Sequence, residues 1–502
     1  MRAIYKNIIQ HSWIGILILF IPCIIKASIP DSDTFFIAAT GRYIVENGIV
    51  PTTNPFVIHE GFSVIIQQWL FDVLIYGIYN YFGNVGLLIY VTLIYAISML
   101  LLYKYFGLFT EKTKTKNIVF IIASYLYTAY AVARPTGISF IAMLLLLYCM
   151  EKYRRTQKTS YLIALPFISL IVINMHAAMW PMMFVMMLPY VFPYTIPTKA
   201  NIKENTKKWF TKNKYIMLTS LIMFATGFIN PNGIKGMAYV LLSYGSATNG
   251  VQIQELVPPS TNDFVGIIIM LTFAFVAIYA YTNKDNILNA HRDNQEEFTR
   301  LYMALGTLIL ACMHTRNLWY LILGTTPIIL TVLNNITFKK QKPKKEEPTY
   351  ALFIKALYIV VLTITITIIL FKSCDYADYT NKDSTLAPYK AVAYLDKNET
   401  SDITLYTEFN NGAFCEWHGY KVYMDARPEL FQKNINKKKD IYTEYCDVAT
   451  GKANYEEFLN KYNFTHLIVS DNTVFNMYLT LNSNYTAVVD GEGYTLYELN
   501  TP

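Results

Sequence analysis

Two aspartates follow directly after the first long apolar run of the chain. The run covers Ser12–Ile25, and Asp31 and Asp33 come next in the segment ASIPDSDTFFIAATGRYIVENGIVP. A carboxylate is costly inside hydrocarbon, so a pair at a bilayer edge is expected to have a function. Two carboxylates can take a proton from a hydroxyl, or hold a divalent cation such as Mg²⁺ or Mn²⁺. Like-charge repulsion would raise the pKa of one member and make it a better base.

Other polar side chains stand at the ends of other apolar runs. Arg134 lies in ARP, His176 in NMHAAM and Arg316 in HTRN. Guanidinium groups suit phosphate oxygens, and an imidazole can donate a hydrogen bond to a phosphate or a hydroxyl. Each group also has a structural interpretation. The arginines could anchor the chain at lipid headgroups, His176 could cap a helix, and Asp31 or Asp33 could be the N-cap of the following segment.

The composition is that of a polytopic membrane protein. Of the 502 residues, 54% are hydrophobic and only 15% are charged, and the mean hydropathy is +0.28. A soluble domain carries about 25% charged residues. The net charge of +7 is modest, and no nucleic-acid partner is predicted. No small-residue cleavage site follows the first apolar run, so we expect that run to be retained as a signal anchor.

Eleven apolar runs are candidate membrane spans, for which about 20 residues are needed. They are Ser12–Ile25, Val85–Leu108, Ile118–Ala133, Gly137–Met150, Tyr161–Ile173, Met179–Tyr194, Tyr215–Ile229, Phe264–Tyr281, Leu301–Met313, Leu318–Leu333 and Ala351–Phe371. Trp69–Phe82 is predicted to be a membrane-surface helix or an extra partial span.

Charge predicts the orientation of these spans. Connections rich in Lys and Arg, such as EKYRRTQK and FKKQKPKKEEP, alternate along the chain with connections that are poor in them. By the positive-inside rule, the basic connections and the N-terminus are cytoplasmic. Residues 27–68, called the first loop below, and the tail from Lys372 are then extracytoplasmic. The polar groups named above fall on this outer side, which predicts an outward-facing aqueous cavity in a protein of the plasma membrane.

The tail is predicted to be a separate domain, residues 372–502, beside a membrane domain of residues 1–371. The short β-branched and aromatic segments ITLYTEF, YKVYMD, HLIVSD, YTAVVD and YTLYEL predict strands, and NYEEFLNKYNF predicts an amphipathic helix. A small mixed α/β domain fits this pattern. Its three cysteines, Cys374, Cys415 and Cys446, allow at most one disulfide, and the sequence leaves the pairing open.

Within the first loop, DTFFIAATGRYIVENG predicts a helix that ends at Gly48. Its apolar side chains are spaced for one face, which predicts that it lies along the outer membrane surface. These side chains are Phe35, Phe36, Ala39, Tyr43 and Ile44.

These segments resemble the GT-C superfamily of polytopic glycosyltransferases. More closely, they are similar to a bacterial GT-C-like family whose first loop reads approximately D-x-D-T-W-W-H, T-G-x-W-I, I-P-x-x-D-P-F and H-E-W-L. The matching segments here are DSDTFFI, ATGRYI, IVPTTNPF and QQWL, followed by ARPTGISF, NMHAAM, NPNG and, in the tail, NNGAFCEWHGYKVYMDARPELF. The fold class expected is therefore a GT-C-like helical membrane protein, with about eleven transmembrane helices and the small extracytoplasmic α/β domain that the residue patterns predict.

The resemblance also implies an activity and a set of site residues. A sugar would pass from a polyprenyl-phosphate-linked donor to an extracytoplasmic glycan, lipid or protein, with Asp33 as the base and Asp31 as its partner. The substrate-binding candidates are Arg134, His176, Arg316, Glu255, Gln67, Gln68, Asp425 and Arg427. A divalent cation held by the aspartate pair is a possible cofactor.

Two departures from the family pattern leave alternatives open. Ile37 stands where the family has the loop histidine, and Gln67–Gln68 stand for His-Glu. Either the aspartate pair suffices for transfer, or the activity is altered or lost. The runner-up functions are a ligase or polymerase of lipid-linked saccharides, and a non-catalytic or transport protein in cell-envelope glycan assembly.

Overall fold

The structure is a computed structural model. It describes residues 13–15, 20–27, 29–191, 202–243, 258–260, 264–284, 295–335, 387–398, 403–491 and 493–500. Within these ranges the first 335 residues are almost entirely helical, and a small sheet forms only near the C-terminal end.

The helices follow the predicted apolar runs closely. From the N-terminus they are Ile21–Ala27, Ser32–Asn47, Trp69–Phe106, Thr113–Thr128, Thr136–Thr156, Ser160–Met175, Trp180–Val191, Ile202–Thr226, Gly233–Met237, Tyr239–Ser243, Phe264–Thr282, Gln295–Met313 and Leu318–Asn335. Short 3₁₀ turns, Ala177–Met179 and Thr315–Asn317, precede two of them.

Among the described residues, four helices are long and apolar enough to cross a membrane: Trp69–Phe106, Thr136–Thr156, Val265–Thr282 and Thr315–Asn335. Ten of the eleven predicted spans overlap with helices, and Ala351–Phe371 lies outside the described residues. Trp69–Phe82 and Val85–Leu108 belong to one 38-residue helix that breaks at Gly83, where φ is 54°. The total of about eleven spans stays a prediction.

Ser32–Asn47, called the aspartate helix below, begins and ends as the sequence predicts. Asp31 is the N-cap, and its side chain accepts a hydrogen bond from the backbone N–H of Thr34. Gly48 adopts the left-handed conformation that commonly ends a helix, and its N–H donates to the carbonyl of Ile44. The predicted helix and its aspartate cap are therefore confirmed.

The apolar face of this helix packs against protein, while its predicted position along the outer membrane surface stays a prediction. Phe35, Ala38 and Ala39 are at most 1% exposed, because the helix lies between the first turns of Trp69–Phe106 and the tail domain. The ring of Phe35 meets Tyr79 on one side and Phe414 of the tail on the other, with centroids 6.1 and 4.9 Å away. The apolar face is covered by protein instead of lipid.

Gly41 sets how closely the aspartate helix approaches its neighbour. A Cβ at this position would lie 2.1 Å from the backbone oxygen of Asp72 and 2.7 Å from the Cβ of Tyr76. Real Cβ atoms do not come so close to a carbonyl oxygen, so only glycine fits this crossing.

The tail domain is a four-stranded sheet flanked by short helices. The strands are β1 (Leu405–Tyr406), β2 (His466–Ser470), β3 (Tyr485–Gly491) and β4 (Tyr494–Leu499), in the order β1-β2-β4-β3. β1 and β2 are parallel, and the other pairs are antiparallel. The described helices are Tyr389–Lys397, Gly412–Trp417, Lys433–Asn436, Ile441–Ala449, Tyr455–Tyr462 and Val474–Thr480.

Two tail predictions need correction. The segment YKVYMD does not form a strand, because only Val422 pairs there, through isolated bridges to Val57 and Leu405. ITLYTEF keeps only two strand residues. The predicted helix is present as Tyr455–Tyr462, and HLIVSD, YTAVVD and YTLYEL are strands. Cys415 and Cys446 are free thiols, and Cys374 lies outside the described residues.

The first loop belongs to the core of the tail domain. Val57, Phe62, Val64 and Ile66 are buried in the same apolar cluster as the tail strands. The N–H of Ile58 donates to the carbonyl of Val422 at 3.0 Å. The predicted boundary near residue 372 therefore does not separate two independent cores.

We predict that Gly41→Ala destabilises the protein by about 1–3 kcal/mol, the usual cost of overpacking. Gly77→Ala is the matched control, since Gly77 is also helical and has nothing within 4 Å of its added Cβ. Thermal unfolding in detergent should show a lower melting temperature for Gly41→Ala and an equal or higher one for Gly77→Ala. Equal melting temperatures for wild type and Gly41→Ala would contradict the close crossing.

We also predict that acid weakens the contact between the first loop and the tail. The Nε2 of His59 lies 2.8 Å from the carbonyl oxygen of Tyr423, and burial lowers the pKa of His59 to about 4. The unfolded chain, with an ordinary pKa, binds a proton first as pH falls. The stabilisation is therefore complete above about pH 6.5 and lost toward pH 4, by about 2 kcal/mol at pH 5.

The measurement is the melting temperature at pH 7.5 and at pH 5.0. His59→Gln keeps an N–H donor for the carbonyl of Tyr423 but does not titrate, so it should show the smaller acid shift. Equal shifts in wild type and His59→Gln would argue against this role of His59.

Candidate functional site

The aspartate pair is held by one arginine. The Nη2 atom of Arg134 lies 2.6 Å from Oδ2 of Asp31, and its Nη1 atom lies 3.0 Å from Oδ2 of Asp33. All three side chains are about one-quarter to one-third exposed, so water and solutes can reach them. The arginine precedes helix Thr136–Thr156 and joins its start to the start of the aspartate helix.

The two aspartates have different surroundings. Oδ1 of Asp31 accepts hydrogen bonds from the N–H and the hydroxyl of Thr34, both at 2.9 Å, while its Oδ2 meets Arg134. Burial would raise the pKa of Asp31, but Arg134 and Thr34 together bring that pKa below its ordinary value. Asp31 is therefore an ionised carboxylate committed to the cap and the ion pair. The cap itself does not involve the carboxylate of Asp33.

His176 lies in the turn between helix Ser160–Met175 and the 3₁₀ turn Ala177–Met179. Its Nδ1 atom is 2.7 Å from the hydroxyl oxygen of Ser139, which lies five residues after Arg134. Burial lowers the pKa of His176 to about 3, and the charge of Arg316 adds to this effect. The imidazole is therefore neutral at physiological pH, with one N–H to donate.

Arg316 belongs to the same region. It lies in the 3₁₀ turn Thr315–Asn317, and the hydroxyl of Tyr130 donates to the carbonyl of Thr315 at 3.2 Å. Its charge acts on His176 and also on Tyr239. Arg134 thus meets both aspartates, Ser139 on the helix that follows Arg134 meets His176, and Arg316 acts on His176 through its charge.

Gln67 and Gln68 support the turn that contains His176. The backbone carbonyl of Gln67 accepts from the N–H of Ala177 at 2.9 Å, and its side-chain oxygen accepts from the N–H of Ala178 at 3.0 Å. Gln68 accepts from the side chain of Gln67 and donates to the buried carboxylate of Asp72. The amides that stand for the family's His-Glu therefore bond to protein groups.

The predicted tail residues lie in a buried ion-pair cluster. Asp425 is 0% exposed, and its Oδ2 atom lies 2.6 Å from Nη2 of Arg427. The same guanidinium lies 3.1 Å from Glu416, and burial together with nearby Asp425 raises the pKa of Glu416 well above its ordinary value. These contacts give Asp425 and Arg427 a structural role, and binding of a substrate stays a prediction. Glu255 lies outside the described residues.

Sequence reasoning missed three residues that connect these groups. Ser139 could have been noticed as a hydroxyl just inside an apolar helix. Tyr239 and Glu429 carry no such signal, yet the hydroxyl of Tyr239 donates to Oε1 of the tail residue Glu429 at 3.2 Å. This contact joins helix Tyr239–Ser243 to the tail domain.

The aspartate pair fits a cation poorly in this arrangement. The guanidinium of Arg134 already pairs with both carboxylates, and the part of the chain that the structure describes contains no cluster of three or more His, Cys, Asp or Glu residues suited to a metal ion.

Solved structures with a similar fold are GT-C glycosyltransferases. The archaeal oligosaccharyltransferase AglB from Archaeoglobus fulgidus, in complex with an inhibitory peptide and a dolichol-phosphate, has a TM-score of 0.52 at 11% identity, covering 92% of this chain and 70% of that chain. ArnT from Cupriavidus metallidurans in the apo state has a TM-score of 0.54 at 9% identity, covering 99% and 98%. ArnT bound to undecaprenyl phosphate has 0.51 at 10%, covering 96% of each chain.

No protein-family model matches the chain, and no curated protein is similar to it in sequence. The structures above show that the chain has the GT-C-like fold that the resemblance predicted. At these identities the similarity is one of fold.

We predict that Ser139→Ala lowers stability by about 1–3 kcal/mol, since it leaves a buried imidazole nitrogen without its partner. Ser124→Ala is the matched control, because Ser124 is equally buried and its hydroxyl has no hydrogen-bond partner among the described residues. Melting temperatures should fall for Ser139→Ala only. A similar fall in both variants would show that the bond to His176 contributes nothing specific.

Proposed function

We propose that the protein transfers a sugar from a polyprenyl-phosphate-linked donor to an extracytoplasmic acceptor, with Asp33 as the base. The observation that carries this proposal is the aspartate pair, which shares Arg134 at the start of one helix in a GT-C-like fold. The site combines carboxylate, guanidinium and neutral imidazole groups, which are the groups this transfer needs.

Asp33 is favoured over Asp31 as the base. Asp31 caps the helix with one oxygen and meets Arg134 with the other, so its protonation would weaken the helix start. Asp33 contributes no cap, and its partial exposure lets an acceptor hydroxyl approach. In the transfer, Asp33 would take the proton of the acceptor hydroxyl. The hydroxyl oxygen would form the new bond to the sugar while the bond between the sugar and the donor phosphate breaks.

The positive and imidazole groups would meet the leaving phosphate. Arg134 already binds two carboxylate oxygens, and the same guanidinium geometry suits phosphate oxygens. Arg316 would add a second positive charge, and neutral His176 would donate its N–H. The fold similarity to ArnT bound to undecaprenyl phosphate supports a donor with a polyprenyl phosphate.

The orientation is part of the proposal. The alternation of basic and non-basic connections supports a cytoplasmic N-terminus and an extracytoplasmic site and tail. The acceptor would then be a glycan, a lipid or a protein of the cell envelope.

We predict that Asp33→Asn lowers the transfer rate by about 10²–10⁴-fold, the usual contribution of a general base. The melting temperature should change little, because the shape is kept. Asp31→Asn should be milder, since asparagine is also a good N-cap. Glu46→Gln is the control, because Glu46 is an exposed carboxylate at the far end of the same helix.

The assay incubates purified protein with radiolabelled polyprenyl-phosphate sugars and measures sugar transfer and free polyprenyl phosphate. Full activity in Asp33→Asn would remove Asp33 as the base. Movement of the labelled lipid across vesicles without turnover would instead identify a transporter.

A further inference from the structure

The tail domain contacts the aspartate helix at several points along its length. Phe414 packs edge-on against Phe35, with ring centroids 4.9 Å apart. Near the other end, Nη2 of Arg42 donates to the backbone carbonyl of Glu416 at 3.1 Å, and its guanidinium lies 5.0 Å from the ring centroid of Trp417. The orientation of the helix therefore depends on the tail.

Arg427 makes the tail contact that involves Phe36. Its guanidinium lies 4.8 Å from the ring centroid of Phe36 and 5.8 Å from that of Phe56. The charge is held in place from the other side, because Asp425 accepts from both Nε and Nη2 of Arg427 and Glu416 accepts from Nη2. A guanidinium fixed by several bonds has little freedom to move away from the ring.

Phe36 lies three residues after Asp33, and positions three apart on a helix share one face. A contact that holds Phe36 therefore also holds the first turn, which carries Asp33 and meets Arg134. Phe56 provides a comparison within the same cluster. It lies in the first loop, and its ring meets that of Tyr43 on the aspartate helix, ten residues after Asp33, with centroids 5.9 Å apart.

We infer that Arg427 is a positioning residue that, through the ring of Phe36, holds the first turn of the aspartate helix in the place where Asp33 can act. The inference rests on the proposed transfer for its effect on rate, and on the contacts above for its effect on the helix. Asp425 and Glu416 take part by fixing the guanidinium.

The test uses Phe36→Leu, which removes the ring and leaves the buried ion pairs intact. A displaced base costs rate more than binding, so kcat should fall at least about tenfold while KM for the donor stays within about twofold. Phe36→Tyr keeps a ring beneath the guanidinium and should restore kcat to within about twofold of wild type. The probes are radiolabelled undecaprenyl-phosphate monosaccharides.

Phe56→Leu is the matched control, since it removes the other ring beside Arg427 and should keep kcat within about twofold of wild type. A wild-type kcat in Phe36→Leu would overturn the inference. So would an equal loss in Phe56→Leu, because the effect would then not depend on the turn that carries Asp33.

A second measurement separates this inference from the proposed function. Hydrogen exchange of the full-length protein in detergent reports on residues 31–40 without any turnover. Faster exchange there in Phe36→Leu, but not in Phe56→Leu, would support positioning, and unchanged exchange would overturn it. If the wild type transfers no sugar from any probe, the proposed function fails, and hydrogen exchange still decides the positioning role.

Discussion

The ion pairs of Arg134 with Asp31 and Asp33 are the interaction on which the arrangement of the site depends. Two carboxylates two residues apart repel each other, and the positive end of a helix offsets only part of that repulsion. Arg134 pairs with both carboxylates and offsets a further part. Because it stands at the start of the helix that carries Ser139, the same ion pairs set the aspartate helix relative to His176. One charged group thus links the carboxylates to the imidazole.

Features of the fold that depend on local chemistry could be predicted from the sequence. Apolar runs of sufficient length became helices, and the aspartate helix begins at an aspartate cap and ends at Gly48, because these signals act within one turn. The segment YKVYMD was mispredicted because a strand needs a partner along its whole length. Here the first loop supplies only a single bridge at Val422. Which segment pairs with a strand depends on residues that are distant in sequence, and a local sequence pattern does not show them.

The same distinction applies to the site. Arg134, His176 and Arg316 could be proposed because a polar side chain at the end of an apolar run is visible in the sequence. The contacts of the tail could not be predicted, because Asp425 and Arg427 look like exposed polar residues until their burial beside Glu416 is known. The packing of the aspartate helix against the tail could not be predicted for the same reason. An apolar face does not reveal whether lipid or protein covers it.

The shared core of the first loop and the tail explains how the aspartate helix is held firmly in place. A short surface helix has little stability of its own, and lipid contacts would leave it free to slide and rotate. Here the helix is covered on one side by the start of Trp69–Phe106 and on the other by the tail domain. Folding of the tail around Val57 and Phe62 therefore orders the segment next to the aspartate helix. The position of Asp33 then depends on apolar surface buried by residues of the tail domain, which lie more than 350 positions away in sequence.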